Sequence, residues 1–231
     1  MEQKDTNALV VGKGYLRKLL DDYKAADAKG LKRLLDTEFN LKLSLEEPSS
    51  PVADGFDSPV GTDEERASDK IWPGTWFDAN GFGNWYTIGG VKNIHTGADL
   101  NNNVPHWDAD RLAPVYAAAS GVVTFSGIGS GTWGNMIIIR HDPLPDDTVV
   151  WSRYAHVQSP KVAAGDRVKR GQQIATIGNS EGRFPYHLHF DMAKTPILEK
   201  NPSDWPGLSS GRLFENYIDP KEFIKAHRPA R

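Results

Sequence analysis

The sequence RFPYHLHFD, residues 183–191, places two histidines on either side of a single leucine. Polar and apolar side chains alternate along it, which is the pattern of a β-strand with one face toward the core. Because successive side chains of a strand point to opposite faces, His187 and His189 share one face while Leu188 and Phe190 point into the core. Two histidines in this arrangement either bind a metal together or form an ordinary surface pair beside a neighbouring strand.

Strand signals of the same kind recur from about residue 59 to the end of the chain. Short runs rich in β-branched residues alternate with glycine and asparagine turns, and helical periodicity is nearly absent until DPKEFIKAH near the C-terminus. The main runs are PVYAAASGVVTFSG, GNMIIIRH, VVWSRYAHV and GDRVKRGQQIATIGNS. The sequence therefore predicts a mainly β fold, with an antiparallel β-sheet domain over residues 59–231.

The first part of the chain has a different pattern. Leucine and tyrosine recur at helical spacing in residues 15–39, which predicts two short helices and a helical extension over residues 1–45. This extension is either a packing element or a helix that binds a partner. Residues 46–58, EEPSSPVADGFDS, are rich in proline, serine and acidic residues, and they predict a linker.

Composition and charge restrict the class of function. The 231 residues carry a net charge of −3, so nothing indicates a nucleic-acid partner. The absence of cysteine excludes disulfides and thiolate metal sites. The apolar run Ala8–Val11 is too short for a signal-peptide core, and no later run is long enough to span a bilayer. We therefore expect no membrane span, and either a cytosolic location, export after removal of a signal peptide, or exit by another route.

Four of the seven histidines lie close to other groups with metal-binding or proton-transfer chemistry. His95 and Asp99 are four residues apart in HTGAD, and Gly97 between them suits a tight loop in which both side chains converge. Imidazole and carboxylate are both good zinc ligands, but this spacing alone is a weak signal. His156 in YAHV, taken alone, fits an ordinary half-exposed histidine that shares a face with Tyr154. The sequence contains neither H-E-x-x-H nor G-x-S-x-G, which excludes the zincin and serine-hydrolase arrangements.

Together these pieces resemble one family. HTGADL, APVYAAASGVV, WGNMIIIRH, YAHV, GDRVKRGQQIATIGNS and HLHFD occur in the order found in the catalytic domain of the M23 (lysostaphin/LytM-type) zinc metallopeptidases. The resemblance covers roughly residues 57–225 and implies a β-sheet domain of the duplicated-hybrid-motif type with Zn²⁺ as cofactor. The predicted helical extension would precede this domain.

The resemblance also implies a role for each histidine. His95, Asp99 and His189 would bind the zinc, and His156 and His187 would assist catalysis. Three protein ligands leave the fourth position of Zn²⁺ open for water, as catalytic sites require. Histidine can transfer protons near neutral pH because its ordinary pKa is about 6.5. Which of the two catalytic histidines is the base and which is the donor stays open.

The family cuts peptide bonds in bacterial cell walls. The resemblance therefore implies a zinc-dependent endopeptidase that acts on peptidoglycan, in the stem peptide or the cross-bridge, as a monomer that is secreted, held in the cell envelope, or released as a phage-type lysin. An alternative is a catalytically inactive scaffold or activator of another cell-wall hydrolase. A further alternative is a lipoyl- or biotinyl-type carrier, because GDRVKRGQQIATIG resembles the hairpin of those domains, but a carrier does not explain the four histidines.

Two stretches depart from the family pattern. The loop LNNNVPHWDADRLA after Asp99 is longer than in many relatives, and it is either a surface insertion or a substrate wall made by Asn102 and Trp107. In GRFPYHLH, Phe184 and Tyr186 would narrow one end of the groove. Asp191, on the same strand face as the two histidines, is either an exposed acid or a carboxylate that orients an imidazole.

Overall fold

The computed structural model describes residues 51–229. The predicted helical extension over residues 1–45 lies outside the described residues. Among residues 51–229, no helix is long and apolar enough to cross a membrane.

Antiparallel strands form most of the described structure. Four short helices accompany them: α1 (Asp63–Arg66), α2 (Ile197–Lys200), α3 (Ser210–Asn216) and α4 (Pro220–Ala226). The strands are β1 (Phe77–Asp78), β2 (Trp85–Ile88), β3 (Val91–Ile94), β4 (Gly97–Asn101), β5 (Pro114–Tyr116), β6 (Gly121–Ile128), β7 (Asn135–His141), β8 (Trp151–Val157), β9 (Arg167–Val168), β10 (Gln173–Thr176), β11 (Leu188–Ala193) and β12 (Tyr217–Ile218).

One large sheet organises the domain. Its strands follow the order β1-β4-β11-β8-β7-β6-β9, and β12 pairs with β11 outside this path. Two further sheets contain two strands each, β10-β5 and β2-β3. The strand pairs are antiparallel, so the predicted mainly β, antiparallel fold is confirmed.

Strand β11 carries the HLHFD motif through the middle of this sheet. It pairs with β4 on one side, where His189 lies opposite Asp99, and with β8 on the other, where His189 lies opposite Ala155. The strand begins at Leu188, so His187 lies just before it. As the alternation predicts, Leu188 and Phe190 are fully buried in the main core.

The opposite face of β11 is also buried. Segment 194–216, which includes α2 and α3, contributes Leu198 and Leu213 to a second apolar cluster with Trp151 and Ala193. All six residues of β11 are consequently buried, and the polar side chains that face this segment must find partners within the protein.

The described part of the predicted linker, residues 51–58, packs against the domain. Phe56 is fully buried, and its ring contacts those of His141 and Phe223 at centroid distances of 4.9 and 5.0 Å. The backbone N–H of Asp57 donates to the Ala118 carbonyl at 2.8 Å. Residues 53–58 are therefore part of the packed unit and not a free spacer. Burial of the Phe56 ring holds this segment on the domain although its composition is typical of a linker.

This packing predicts where the chain can be shortened. We expect a fragment of residues 51–231 to fold. A fragment of residues 59–231 should have a lower free energy of unfolding, by about 3–5 kcal/mol or more, because it lacks the buried phenylalanine ring. Urea unfolding followed by fluorescence measures the difference. In the full chain, Phe56→Ala should reproduce most of this loss, whereas Val52→Ala, at a side chain that is 53% exposed, should change little. Equal stability of the two fragments would contradict the role of residues 53–58.

Candidate metal centre

The three predicted ligands converge where β4 pairs with β11. His95 Nε2, Asp99 Oδ1 and His189 Nδ1 lie 3.0–3.1 Å from one another. Among residues 51–229, these three form the one group of histidine and acidic side chains whose donor atoms are close enough to hold a metal ion together. The two histidines are almost fully buried, and the carboxylate is half-buried.

The pairing of β4 with β11 places these side chains. Asp99 lies in β4 directly opposite His189, and His95 lies in the short connection between β3 and β4. Gly97 is the first residue of β4, not part of a tight loop as the sequence predicts. A Cβ atom at this position would lie 2.2 Å from the Phe190 carbonyl oxygen and 2.6 Å from the Cβ of Asp191. Glycine is therefore required for β4 to approach β11 this closely.

The hydrogen bonds of the two imidazoles fix which nitrogen faces the centre. His95 Nδ1 donates to the Gly97 carbonyl at 3.0 Å, and His189 Nε2 donates to Asp191 Oδ2 at 3.1 Å. In each neutral ring the other nitrogen then carries a lone pair, and these two lone pairs point at each other and at the Asp99 carboxylate. Such an arrangement is repulsive unless a cation lies between the three atoms.

The chemistry of this donor set fits zinc. Two imidazoles and a carboxylate are common ligands of catalytic zinc, and bonds of about 2.0–2.1 Å in tetrahedral geometry place the donor atoms about 3.3 Å apart. The observed 3.0–3.1 Å is close to this spacing. Each imidazole also donates its outer N–H to a fixed acceptor, as metal-binding histidines usually do.

The pKa values indicate the same preference for positive charge. Burial would raise the pKa of the Asp99 carboxyl, but the neighbouring imidazoles of His189 and His95 hold it well below its usual range. Burial would lower the pKa of His189, whereas its hydrogen bonds to Asp191 and Asp99 raise it to about 9. With no metal bound, a proton on His189 therefore supplies the positive charge at neutral pH, and a metal ion would displace that proton.

The remaining two predicted histidines lie beside this group. The rings of His156 and His187 are 4.8 Å apart, and His187 Nε2 is 3.7 Å from Asp99 Oδ1. His156 Nδ1 donates to the Trp133 carbonyl at 3.0 Å, and His187 Nδ1 donates to the Pro185 carbonyl at 2.9 Å. Because these bonds use the Nδ1–H of each neutral ring, Nε2 of each ring is left as a proton acceptor.

His156 does not share a face with Tyr154, contrary to the sequence prediction. Tyr154 points into the core against Phe190, at a centroid distance of 5.2 Å, while the His156 ring lies 5.9 Å from that of His189 on the other side. The cause is the backbone of His156, whose φ of 62° lies in the left-handed region. This conformation breaks the strand alternation and turns the ring toward the site.

Burial keeps His156 neutral. It has the largest effect on the pKa of the imidazole and lowers it well below its usual value, and the nearby His187 and His189 lower this pKa further. His156 is therefore neutral at neutral pH and available to accept a proton.

These side chains line a cleft of about 430 Å³. Beside the four histidines, its walls include the aromatic rings of Tyr86, Trp133, Phe184 and Trp205. Among the described residues that line it there is no lysine or arginine. The sequence analysis predicts Phe184 as a wall residue but assigns no such role to Trp133, although this residue begins the motif WGNMIIIRH. Trp205 could not be predicted, because it belongs to segment 194–216, which carries no motif.

The other predicted wall residues lie elsewhere. Trp107 is 69% exposed, and Asn102 accepts a hydrogen bond from the Thr75 hydroxyl; neither lines the cleft. The long loop after β4 is therefore a surface insertion with respect to this cleft. Tyr186 packs against the main core and lies below the Arg111 guanidinium, so it does not line the cleft either.

Comparison with known proteins identifies the family. Residues 93–204 match the model of peptidase family M23, and all five predicted site residues lie within this range. Lipoprotein NlpD of Yersinia enterocolitica is 40% identical over 82 residues, which are 36% of this chain and 78% of that protein. This chain therefore belongs to peptidase family M23.

Two relatives have functions of different kinds. The peptidoglycan DD-endopeptidase ShyC of Vibrio cholerae is 37% identical over 101 residues, 42% of this chain and 22% of ShyC. The murein hydrolase activator NlpD of Escherichia coli is 40% identical over 108 residues, 47% of this chain and 27% of that protein. Matches to two further curated relatives span only 41% and 17% of their lengths. The chain is thus related to both peptidoglycan hydrolases and hydrolase activators.

A solved structure supports the fold. The SpoIIQ–SpoIIIAH pore-forming complex contains a chain that superposes with a TM-score of 0.51 at 18% identity, covering 76% of this chain and 93% of that one.

Asp191 has the supporting contact that the sequence offered as one of two alternatives. It is fully buried, its Oδ2 accepts from His189 Nε2 at 3.1 Å and from the Thr96 hydroxyl at 2.6 Å, and it pairs with Arg153. Burial would raise the pKa of the Asp191 carboxyl, but the charge of Arg153 and the hydrogen bond from His189 hold it well below its usual range. It therefore remains a carboxylate that orients His189.

Asp191→Asn tests this contact. We expect the zinc affinity to fall by about 10- to 100-fold, because the amide orients the imidazole less strongly than the carboxylate does. Competition with a chromophoric chelator measures the affinity. Asp69→Asn, at an exposed position outside the site, is the matched control. An affinity equal to that of the wild type would show that the hydrogen bond does not support the metal site.

Proposed function

We propose that this chain is a zinc-dependent endopeptidase that hydrolyses peptide bonds in bacterial peptidoglycan by means of a metal-activated water. The observation that carries the proposal is the convergence of His95 Nε2, Asp99 Oδ1 and His189 Nδ1 beside two imidazoles that line the same open cleft. Three protein ligands and a nearby acid–base pair are the parts that hydrolysis by a metallopeptidase requires.

The three ligands would hold Zn²⁺ and leave a position open toward the cleft. When bound, the ion supplies Lewis acidity, which polarises a carbonyl group and activates water. His95 and His189 are held in the required tautomers by the Gly97 carbonyl and by Asp191. The site would thus be preorganised before the metal arrives, which lowers the cost of ordering the ligands.

His156 and His187 would move the protons. Hydrolysis must take one proton from water and deliver one to the amine that leaves. His156 is kept neutral by burial, with its Nδ1–H fixed on the Trp133 carbonyl, so Nε2 can accept a proton. His187 is fixed in the same way on the Pro185 carbonyl, and the two rings are close enough to act on one substrate. Their roles as base and donor are interchangeable on this geometry.

The substrate would be a neutral stretch of peptide. The described residues that line the cleft offer aromatic rings and the amide groups of Asn80 and Asn93, and they include no lysine or arginine that would pair with a carboxylate. The similarity to ShyC, a peptidoglycan DD-endopeptidase, supports peptidoglycan as the target. A location in the cell envelope or outside the cell, and action as a monomer, belong to the same proposal.

The second candidate function is activation of another cell-wall hydrolase. The likeness to the murein hydrolase activator NlpD favours it. The set of three convergent ligands and two cleft histidines favours catalysis instead, because an activator needs none of them. We also infer that residues 1–45 are an extension that precedes the M23 domain in the chain.

Removal of the metal tests catalysis. Prolonged chelation should abolish hydrolysis of purified cell walls, and Zn²⁺ should restore it at about one ion per chain, because the three ligands form a single site. Mass spectrometry of the new amine ends measures cleavage and identifies the bond, with walls of several bridge types as substrates.

Two outcomes would contradict the proposal. Full cleavage by a preparation shown to be metal-free by elemental analysis would exclude zinc catalysis. An absence of new amine ends together with faster hydrolysis by an added wall hydrolase would establish the activator instead.

Substitution of the two histidines of HLH should affect zinc binding and turnover differently. His189→Ala should lose both zinc and activity, because it removes a ligand. His187→Ala should keep nearly one zinc per chain and lose turnover by about 10²- to 10⁴-fold, the usual effect of removing a general acid or base. Elemental analysis and steady-state kinetics measure the two properties.

His106→Ala is the matched control, because this side chain is 63% exposed and does not line the cleft. If His187→Ala loses zinc as readily as His189→Ala does, both residues are ligands and the proton transfers must depend on His156.

A further inference from the structure

Arg153 is a fully buried arginine in β8, directly opposite Asp191 in β11. Its Nε donates to Asp191 Oδ1 at 3.2 Å and its Nη2 donates to Asp191 Oδ2, so the guanidinium binds both carboxylate oxygens. A buried charge is costly unless it is paired and hydrogen-bonded, and the planar fork of arginine suits this bidentate arrangement. The pair therefore holds the plane of the Asp191 carboxylate in one orientation.

Asp191 in turn orients His189, the proposed metal ligand. Its Oδ2 accepts hydrogen bonds both from Arg153 Nη2 and, at 3.1 Å, from His189 Nε2. The Thr96 hydroxyl donates to the same oxygen at 2.6 Å. The direction of the His189 ring thus depends on a carboxylate whose own position depends on Arg153.

The rest of the guanidinium contacts the wall of the cleft. Nη1 donates to the carbonyl oxygens of Pro202 and Asp204, at 3.0 and 2.9 Å, in the stretch that leads directly to Trp205. Its flat face lies over the ring of Trp133, 3.7 Å from the centroid. Arg153 therefore touches segment 194–216 and the aromatic wall as well as β11.

Trp133 extends the connection to the second pair of histidines. Its carbonyl oxygen accepts from His156 Nδ1 at 3.0 Å, and its ring packs against that of Trp205 at a centroid distance of 5.2 Å. Displacement of the Trp133 ring would consequently disturb the residue that holds His156.

We propose that Arg153 is a positioning residue of the metal centre, which orients His189 through Asp191 and places the aromatic wall through Trp133 and the backbone of residues 202–204. This inference rests on the proposed function, since it needs a metal held by His95, Asp99 and His189. Arg153 acts through these neighbours and lines neither the cleft nor the ligand triangle.

A cycle of variants in the full chain tests the proposal. Arg153→Lys keeps the positive charge but loses the fork, Asp191→Asn weakens the acceptor, and the double variant Arg153→Met with Asp191→Asn removes both charges, so that no unpaired buried charge is left to prevent folding. The readouts are the zinc dissociation constant, the visible spectrum of the Co²⁺-substituted protein, and the midpoint of thermal unfolding. Arg140→Lys, on the exposed side of the neighbouring strand β7, is the control.

We expect Arg153→Lys to weaken zinc binding by about 10-fold or more and to alter the Co²⁺ spectrum, as loss of an outer-shell partner does. The double variant should bind zinc no more weakly than Asp191→Asn alone, because Arg153 acts on His189 through Asp191. Wild-type affinity and a wild-type spectrum in the folded variants, with only a lower unfolding midpoint, would overturn the proposal and leave Arg153 a structural residue.

The two proposals can fail separately. If the wild-type chain binds zinc in this way but cleaves no cell wall, the endopeptidase function fails and the positioning role stands. If the wild-type chain binds no zinc, both are overturned.

Discussion

The close approach of β4 to β11 is the constraint on which the candidate site depends. It sets the distance between Asp99 and His189, and it is permitted by Gly97, since any side chain there would collide with the backbone of the neighbouring strand. A slip of one residue in this pairing would turn every side chain of β11 to the opposite face. One glycine and one register therefore determine whether the donor atoms meet.

A second constraint is the conflict between a regular strand and a convergent site. Strand alternation would direct His156 toward the core, and the left-handed backbone at this residue redirects it toward the ligands. A non-glycine residue in this region costs of the order of 1–3 kcal/mol. The Trp133 carbonyl helps to maintain it, because it accepts from both the backbone N–H and the Nδ1–H of His156, at 3.1 and 3.0 Å. The strained residue therefore lies beside the loop that contains Trp133. Its backbone and its side chain both donate to the Trp133 carbonyl, and these two hydrogen bonds stabilise its conformation.

Much of the architecture could be predicted from local sequence, and its limits are physical. The alternation in HLHFD predicts strand β11 and the burial of Leu188 and Phe190, since period-2 patterns depend on adjacent residues. The facing of His156 could not be predicted in this way, because it depends on a single φ angle. Composition also misassigned residues 53–58, where the burial of Phe56 depends on residues far away in the chain. The order of the motifs predicted the five candidate residues. Arg153 and Trp205 lie in no motif, and their contribution depends on contacts with segment 194–216 that the sequence does not show.

The packing of Trp133 against Trp205 has an optical consequence. Their rings lie 5.2 Å apart with an interplanar angle of 70°, and each is within about 6 Å of the His189 ring. Two indole chromophores this close and this steeply inclined couple their electronic transitions, which gives a paired signal in circular dichroism. Because one indole lies on the Arg153 guanidinium and the other follows the carbonyls to which Arg153 donates, a movement of Arg153 would change their mutual angle. The protein thus contains an intrinsic chromophore pair beside the candidate site, which can be observed without any added label.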